Sequence, residues 1–294
     1  MNNLRGILFI TAAMAAFAIE DSFIKYLSGS VPKGQIMLLL GLGGSLVFFL
    51  VALGQRVNVF QRRHFSQALF WRTASEALAA LFFITSLSLV PITTVAAVFQ
   101  ATPLAITLGA ALFLGEQVGW RRWCAILTGF LGVLIIIRPG LAGFEPASLF
   151  VVITVFAIAA RDLLTRLVPA RTSSTVVSFY GFFALVLASP LLMALTGWPE
   201  AVSGGEALSL GAAVGFGVIG YYLIVTAMRM GDTAAIMPFR YTRLLFSILL
   251  GYAVFSESPD ALTYLGAALI IASGLYTFLR ERKLAQALRS SAAV

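Results

Sequence analysis

Residues 77–115, ALAALFFITSLSLVPITTVAAVFQATPLAITLGAALFLG, contain no charged side chain over 39 positions. A hydrocarbon core of ~30 Å takes about 20 helical residues at ~1.5 Å each. This stretch is therefore long enough to cross a bilayer twice, and Pro91 marks the turn between the crossings. Uncharged runs of one crossing recur at 34–55, 172–199, 207–228 and 261–279. Shorter ones at 6–19, 123–137 and 146–160 are completed by flanking residues whose charges face protein or reach the interface. The segment 233–255 is interrupted by Arg240 and Arg243. It is bounded by Gly231-Asp232 and by Glu257-Ser258-Pro259-Asp260, and is kept as a helix between those turns. The reading is all-α, with ten transmembrane helices at roughly 4–27, 34–54, 67–89, 92–114, 123–138, 147–168, 174–196, 207–229, 233–255 and 261–279.

Composition reaches the same class independently. Of 294 residues, 60% are hydrophobic and 11% charged, with a mean hydropathy of +0.96. Soluble domains carry about 25% charge, so the polar surface needed to cover a water-soluble globule is missing. Disorder, coiled coil and a disulfide-stapled secreted fold fail on the same numbers, and a membrane β-barrel would show ~10-residue alternating stretches. The formal charge of +8 fits basic loops against anionic lipid headgroups rather than a nucleic-acid partner. One cysteine, Cys124, precludes an internal disulfide, and the lone His64 sits in a basic loop and reads as solvated. No metal site and no cofactor is expected.

Loop charges set the orientation. Arg5, Arg56, Arg62, Arg63, Arg121, Arg122, Arg171, Arg229, Arg280, Arg282, Lys283 and Arg289 fall on the side of both termini, against Lys33 and Arg138 on the other. Both termini are thus expected in the cytoplasm. Trp71, Trp120, Trp123 and Trp198 all fall at expected helix ends, as an interfacial aromatic belt requires. Residues 1–18 also read like a secretory signal, a basic residue followed by an apolar run and small residues. A repeat argues that this segment is retained as the first helix.

Shifted by 141 residues, the chain matches itself. Leu8-Phe9 falls on Leu149-Phe150, Asp21 and Lys25 on Asp162 and Arg166, and Glu116 on Glu257. Each Glu is followed by an aromatic (Trp123, Tyr264) and later by a glycine (Gly132, Gly274). Five helices per copy is an odd number, so the second copy enters from the opposite side. Inverted pairs of this kind build many alternating-access carriers, with the substrate site near midplane between the halves. The expected division is 1–140, 141–280 and a basic cytoplasmic tail at 281–294.

Leu114-Gly115-Glu116, after a helix containing Pro103, and Phe255-Ser256-Glu257, after its repeat partner, resemble the EamA-type module of the drug/metabolite transporter superfamily. The second copy departs from it, with Ser256 for glycine and Leu244 in place of the proline. The resemblance covers nearly the whole chain. It implies a ten-helix secondary carrier of the bacterial inner membrane, with a central cavity lined largely by helices 1, 3, 4, 6, 8 and 9.

Charged residues inside the membrane are costly and by default face the bundle interior. Here they concentrate in Glu20, Asp21 and Lys25 of helix 1, Arg72 and Glu76 of helix 3, Arg161, Asp162 and Arg166 of helix 6, and Arg240 and Arg243 of helix 9. The uncharged helices 2, 5, 7 and 10 read as lipid-facing or scaffold. Asp21/Lys25, Asp162/Arg166 and Arg72/Glu76 are each four apart, on one helix face and able to pair. Inverted symmetry would set one charged cluster towards each mouth, so Glu20, Asp21, Lys25, Arg72, Arg161 and Asp162 read as gating or ion-coupling groups. Their alternative is interfacial snorkelling. Nearer midplane lie Glu76, Gln100, Arg240, Tyr241 and Arg243. Arg240 and Arg243 need an anion, supplied by Glu76, by a substrate, or by both in turn. Phe99, Tyr221, Tyr222 and Tyr241 could stack on a ring or a cation. The glycines at 211, 215, 217 and 220 of helix 8 allow close helix approach. If protons drive transport, Glu76, Glu20 and Asp21 are the carriers.

No Walker motif, His-Glu-x2-His or Cys/His dyad is present, so neither ATP hydrolysis nor intramembrane catalysis has its parts. The function read from these residues is secondary transport of a small polar or amphipathic metabolite by a monomer or homodimer. Acid-rich helix 1 looks more like the branches associated with uptake of riboflavin or S-adenosylmethionine. An amino acid is a further candidate cargo, and the alternatives are export of aromatic amino acids or cationic drugs, and a passive channel.

Overall fold

The computed structural model describes residues 2–115, 119–141, 144–169, 171–230 and 237–291. Its helices are α1 (Asn2–Leu27), α2 (Lys33–Gly54), α3 (Gln67–Leu89), α4 (Ile92–Phe99), α5 (Thr102–Phe113), α6 (Trp120–Ile137), α7 (Ser148–Leu167), α8 (Ser174–Thr196), α9 (Gly204–Met230), α10 (Thr242–Phe255) and α11 (Ala261–Ser291). Short 3-10 turns stand at Arg62–His64 and Met237–Tyr241.

Local chemistry accounts for most of the ends. Ser66 and Ser173 are N-caps whose hydroxyls accept from Leu69 N and Val176 N. Pro32 and Pro91 stand immediately before α2 and α4, where a missing N–H costs nothing. The left-handed Arg138, at φ 54°, ends α6 just before Pro139. Three sequence expectations change. The fourth crossing is broken at Gln100-Ala101, between α4 and α5. The ninth begins as a 3-10 turn before α10, and residues 233–236 of it lie outside the described residues. Five residues at ~2.0 Å and fourteen at ~1.5 Å still rise about 31 Å, enough for the hydrocarbon core. The last helix runs on to Ser291 rather than ending at 279.

Among the described residues nine segments are individually long and apolar enough to cross a membrane, with α4 and α5 forming one of them. Their outer faces are apolar: Leu46, Phe70, Leu127, Leu195, Leu208 and Leu249 are all more than half exposed. Water would not tolerate such a girdle and acyl chains would cover it. The protein is a multi-pass helical membrane protein.

Helices pair across the chain. α1 lies along α9, α3 along α7, α2 along α8, α6 along α11, and α4 against α10. The α6–α11 seam closes on Gly132 and Gly266: a Cβ on either would stand 2.6 Å from the other's carbonyl oxygen. The main hydrophobic core gathers where α1 ends, α2 begins, α3 ends and α4 begins, with Leu27, Ile36, Met37, Leu87 and Ile92 at most 1% exposed. This apolar plug fills one end of the bundle. His64 is buried rather than solvated, at 2% exposed in its 3-10 turn.

Candidate functional site

Polar residues inside an apolar bundle need one another or a cavity, and here they have both. A cavity of about 340 Å³ lies between the two helix breaks, within the size range of small-molecule sites. Its walls come from α1, α3, α4, α5, α7, α8, α9 and α10, but also from Gly274, Leu275 and Phe278 of α11. Leu40 of α2 lines it too, so helices 2, 7 and 10, expected as lipid-facing or scaffold, all contribute to the cavity wall. Small residues such as Gly181 and Gly274 let their backbones reach the wall without a charge to announce it.

One charged cluster joins α3 to α7. Glu76 is ion-paired with Arg72 Nη2 at 3.2 Å, four residues before it, and accepts from Arg161 Nη1 at 3.0 Å. Arg161 also reaches its neighbour Asp162, with Nε and Nη2 at 2.9 and 2.8 Å from Oδ1. Arg72 is held further by Thr165 Oγ1 at 3.2 Å and by the Val177 carbonyl at 3.3 Å, so α8 is tied in too. The network balances two cations against two anions. Glu76 is thus engaged by Arg72 and Arg161, not by Arg240 or Arg243.

A second cluster joins α1 to α10. Arg243 donates Nε and Nη2 to Asp21 Oδ2 at 3.2 and 2.6 Å. Its guanidinium also lies over the Phe99, Phe17 and Phe83 rings at 4.9, 5.4 and 5.8 Å from their centroids. Asp21 therefore pairs across the bundle rather than with Lys25. Beside it the Glu20 carboxylate packs on bare backbone: a Cβ on Gly217 would stand 2.5 Å from Glu20 Oε1. Gly217 and Gly220 thus admit α1 to α9, while Gly211 and Gly215 face open space. Tyr221 closes this side, its hydroxyl 2.7 Å from the donor Ser178 Oγ and its ring edge-on to Phe48.

Both helix breaks face the cavity. Gln100 ends the first half of the fourth crossing, and Arg240 and Tyr241 stand in the 3-10 turn of the ninth. At each break a threonine hydroxyl donates back three residues at 2.6 Å, Thr102 to Phe99 O and Thr242 to Phe239 O. Tyr241 lays its hydroxyl on Gly274, where a Cβ would collide with it.

All but three of the candidate residues line the cavity. Tyr222 does not: it is 66% exposed, because successive residues of a helix point about 100° apart and Tyr221 takes the inward place. Asp162 stands behind Arg161, and Lys25 lies at the plugged end of the bundle. There Lys25 Nζ is 3.2 Å from Glu257 Oε1 and donates to the Val90 carbonyl at 2.8 Å. Glu257 in turn accepts from Ile92 N, Thr93 N and Thr93 Oγ1 at 3.0, 3.2 and 3.1 Å, capping α4. Glu257 thus ties the end of the ninth crossing to those of the first and fourth, and Lys25 adds the end of the third through the Val90 carbonyl. Among the described residues no group of His, Cys, Asp and Glu could hold a metal ion.

Residues 4–138 and 146–279 each match the EamA-like transporter family. The chain belongs to that family. Along its length it is 30% identical over 293 residues to a riboflavin transporter of Vibrio cholerae, covering 95% of each chain. It is 26% identical over 288 residues to an S-adenosylmethionine uptake transporter of Rickettsia prowazekii, covering 95% of this chain and 94% of that one. A solved crystal structure, 22% identical and covering 95% of this chain and 98% of the other, shares the fold with a TM-score of 0.64. The protein is a transporter of small metabolites and not an enzyme.

The two EamA-like modules also explain the Gly/Ser difference in their Leu-Gly-Glu and Phe-Ser-Glu motifs. Gly115 and Ser256 are both left-handed, at φ 68° and 54°. Each ends its helix with the one conformation that turns the chain sharply. Glycine adopts it freely and serine at a cost. Glu257, not a candidate from its charge alone, follows that turn and so reaches α4. The signal that could have found it was its place in the repeat.

Proposed function

We propose that this EamA-family protein is a secondary carrier working by alternating access, moving a small polar or amphipathic metabolite across the bacterial inner membrane. The observation that carries the reading is the cavity, which holds Glu20, Glu76, Arg161, Arg240 and the Asp21–Arg243 pair among mostly apolar walls. Charge at that depth is expensive to keep, and a passive scaffold would have no use for it. The names of the relatives point to a vitamin or a nucleoside-like compound as cargo, riboflavin and S-adenosylmethionine among them.

The two modules are inverted repeats in this reading. Exchanging the first crossing with the sixth and the third with the eighth turns the α1–α9 pair into the α7–α3 pair. The same exchange leaves α2–α8, α4–α10 and α6–α11 in place. That pairing is the one the helices adopt. With both termini in the cytoplasm, the Lys25–Glu257 junction and the apolar plug stand at the outer face. They are the closed outer gate, and the Arg72–Glu76–Arg161–Asp162 network on the cytoplasmic side is the group whose partners exchange as the carrier turns.

Purified protein in proteoliposomes should show saturable uptake that is accelerated by the same solute loaded inside. Linear, non-saturating uptake without counterflow would mean a channel instead.

A further inference from the structure

Two groups on the cavity wall lack the partners that their chemistry calls for. Gln100 is only 6% exposed, yet its Nε2 donor is buried with no hydrogen-bond partner. Arg240 is the second. Among the described residues no carboxylate is in ion-pair contact with it; Asp162 attracts it from further off, and Arg161 and Arg243 repel it. The two occupy the same place in the repeat. Phe99-Gln100-Ala101-Thr102 and Phe239-Arg240-Tyr241-Thr242 each carry the helix break, with the same threonine bond back to phenylalanine. Immediately beyond begin α5, of 12 residues, and α10, of 14, with no side-chain cap at Ala101 or Tyr241. The turn amides at the first break are already bonded, Leu104 N to the Ala101 carbonyl, and Pro103 has no N–H, so the donors that converge where no acceptor is supplied are the Gln100 amide and the Arg240 guanidinium.

The opposite need stands on α1. The Glu20 carboxylate faces the cavity, and its charged neighbours Asp21 and Arg243 are committed to one another. Among the described residues it makes no hydrogen bond or ion pair. Glu20 and Arg240 do not neutralise each other either.

We propose that the cargo is a zwitterion. Its carboxylate lies between the two helix breaks on Arg240 and Gln100, and its cationic group faces Glu20. An uncharged cargo would desolvate both poles without compensation, and a simple cation or anion would leave one of them unmatched. The assignment rests on the carrier reading only in that the cargo must reach this cavity.

Binding to the purified full-length protein, by thermal shift and by equilibrium titration, tests it with a matched set. The set is S-adenosylmethionine, its decarboxylated analogue, riboflavin and the common amino acids. A zwitterion from the set should bind, and for S-adenosylmethionine loss of the carboxylate should weaken binding by about 10- to 100-fold, as for a lost charged hydrogen bond. Arg240→Gln should erase that preference while leaving the analogue's binding unchanged, Arg240→Lys should restore part of it, and Glu20→Gln should weaken both compounds alike. Riboflavin or the decarboxylated analogue binding as tightly as the zwitterion, binding of no zwitterion in the set, or an Arg240→Gln protein that keeps the preference would each overturn the assignment. Zwitterion binding with the expected Arg240 dependence but no counterflow supports the two poles and overturns the carrier reading alone.

Discussion

The two sides of the cavity hold similar side chains in opposite states of satisfaction. On the α3–α7 side four charges are spent on each other, Arg72 and Arg161 on Glu76 and Asp162, with Thr165 and a carbonyl filling the remaining donors. On the α1–α10 side only Asp21 and Arg243 are matched, and among the described residues Glu20 and Arg240 have no ion-pair partner at the cavity wall. Buried charges that are mutually satisfied set geometry; those left open cost stability and are kept for something that arrives. The contrast separates residues that hold the cavity's shape from residues that read its contents. No single segment displays it, because it depends on which charges meet across the bundle.

The largest effect should come from removing the acid at the centre of the paired network. Glu76→Gln leaves Arg161 and Arg72 undercompensated, and is expected to destabilise the protein by about 3–5 kcal/mol, the range for breaking a buried pair. Glu20→Gln, with no partner to strand, is expected to stay within about 1 kcal/mol of the parent. Unfolding followed in detergent or bicelles compares the two directly. Equal losses would erase the distinction between the walls.

Next is the plugged end. Glu257→Gln removes the ion pair with Lys25 and weakens the cap on α4, and is expected to cost about 1–2 kcal/mol. It should also raise modification of outer-facing positions by a membrane-impermeant thiol reagent, a change that Glu76→Gln on the inner side should not produce. If Glu257→Gln leaves outer accessibility unchanged, Lys25 and Glu257 are packing rather than a gate.

Two smaller effects sharpen the comparison of the modules themselves. Ser256→Gly puts into the second module the residue that the first has at Gly115. It should stabilise by about 0.4–1 kcal/mol by removing the left-handed penalty on a side chain. No gain in unfolding midpoint would mean that the serine hydroxyl offsets its own strain.

The Arg138–Asp260 pair at the start of α11 gives the smallest effect. Arg138 and the Thr263 amide hold the Asp260 carboxyl well below its usual range, at about 2. A depressed carboxyl pKa adds stability that is present above the unfolded value near 4 and is lost as pH falls towards 2. Half-exposed Asp260 makes this a fraction of a kcal/mol after solvent screening. Asp260→Asn should flatten the slope of stability between pH 4 and pH 2, and an unchanged slope would assign it to other carboxylates.

Much of this was legible in the sequence because it rests on local signals. Nine crossings follow from uncharged length, the turn between the third and fourth from Pro91, and the charged walls from the cost of ionised groups in lipid. What escaped was set between helices. Asp21 and Lys25 are four apart and face one way, yet each has a stronger partner elsewhere, Arg243 and Glu257. The break at Gln100-Ala101 has no glycine to mark it, and Pro103 stands three residues past Gln100, inside the first turn of α5. The equivalence of Gln100 with Arg240 was hidden by a repeat that runs at 141 residues near Asp21 and at 140 near Phe99. His64, in a loop of basic residues, is buried by tertiary packing that no property of those residues foretells.

Accessibility of the cavity itself tests the central claim most directly. In a background with exposed Cys124 replaced by serine, Ser178→Cys places one thiol on the wall beside Tyr221. A membrane-impermeant maleimide should label it from the cytoplasmic face, and from the outer face only after Glu257→Gln loosens the plugged end. Labelling from neither face, or equal labelling from both in the parent, would contradict a carrier that opens to one side at a time.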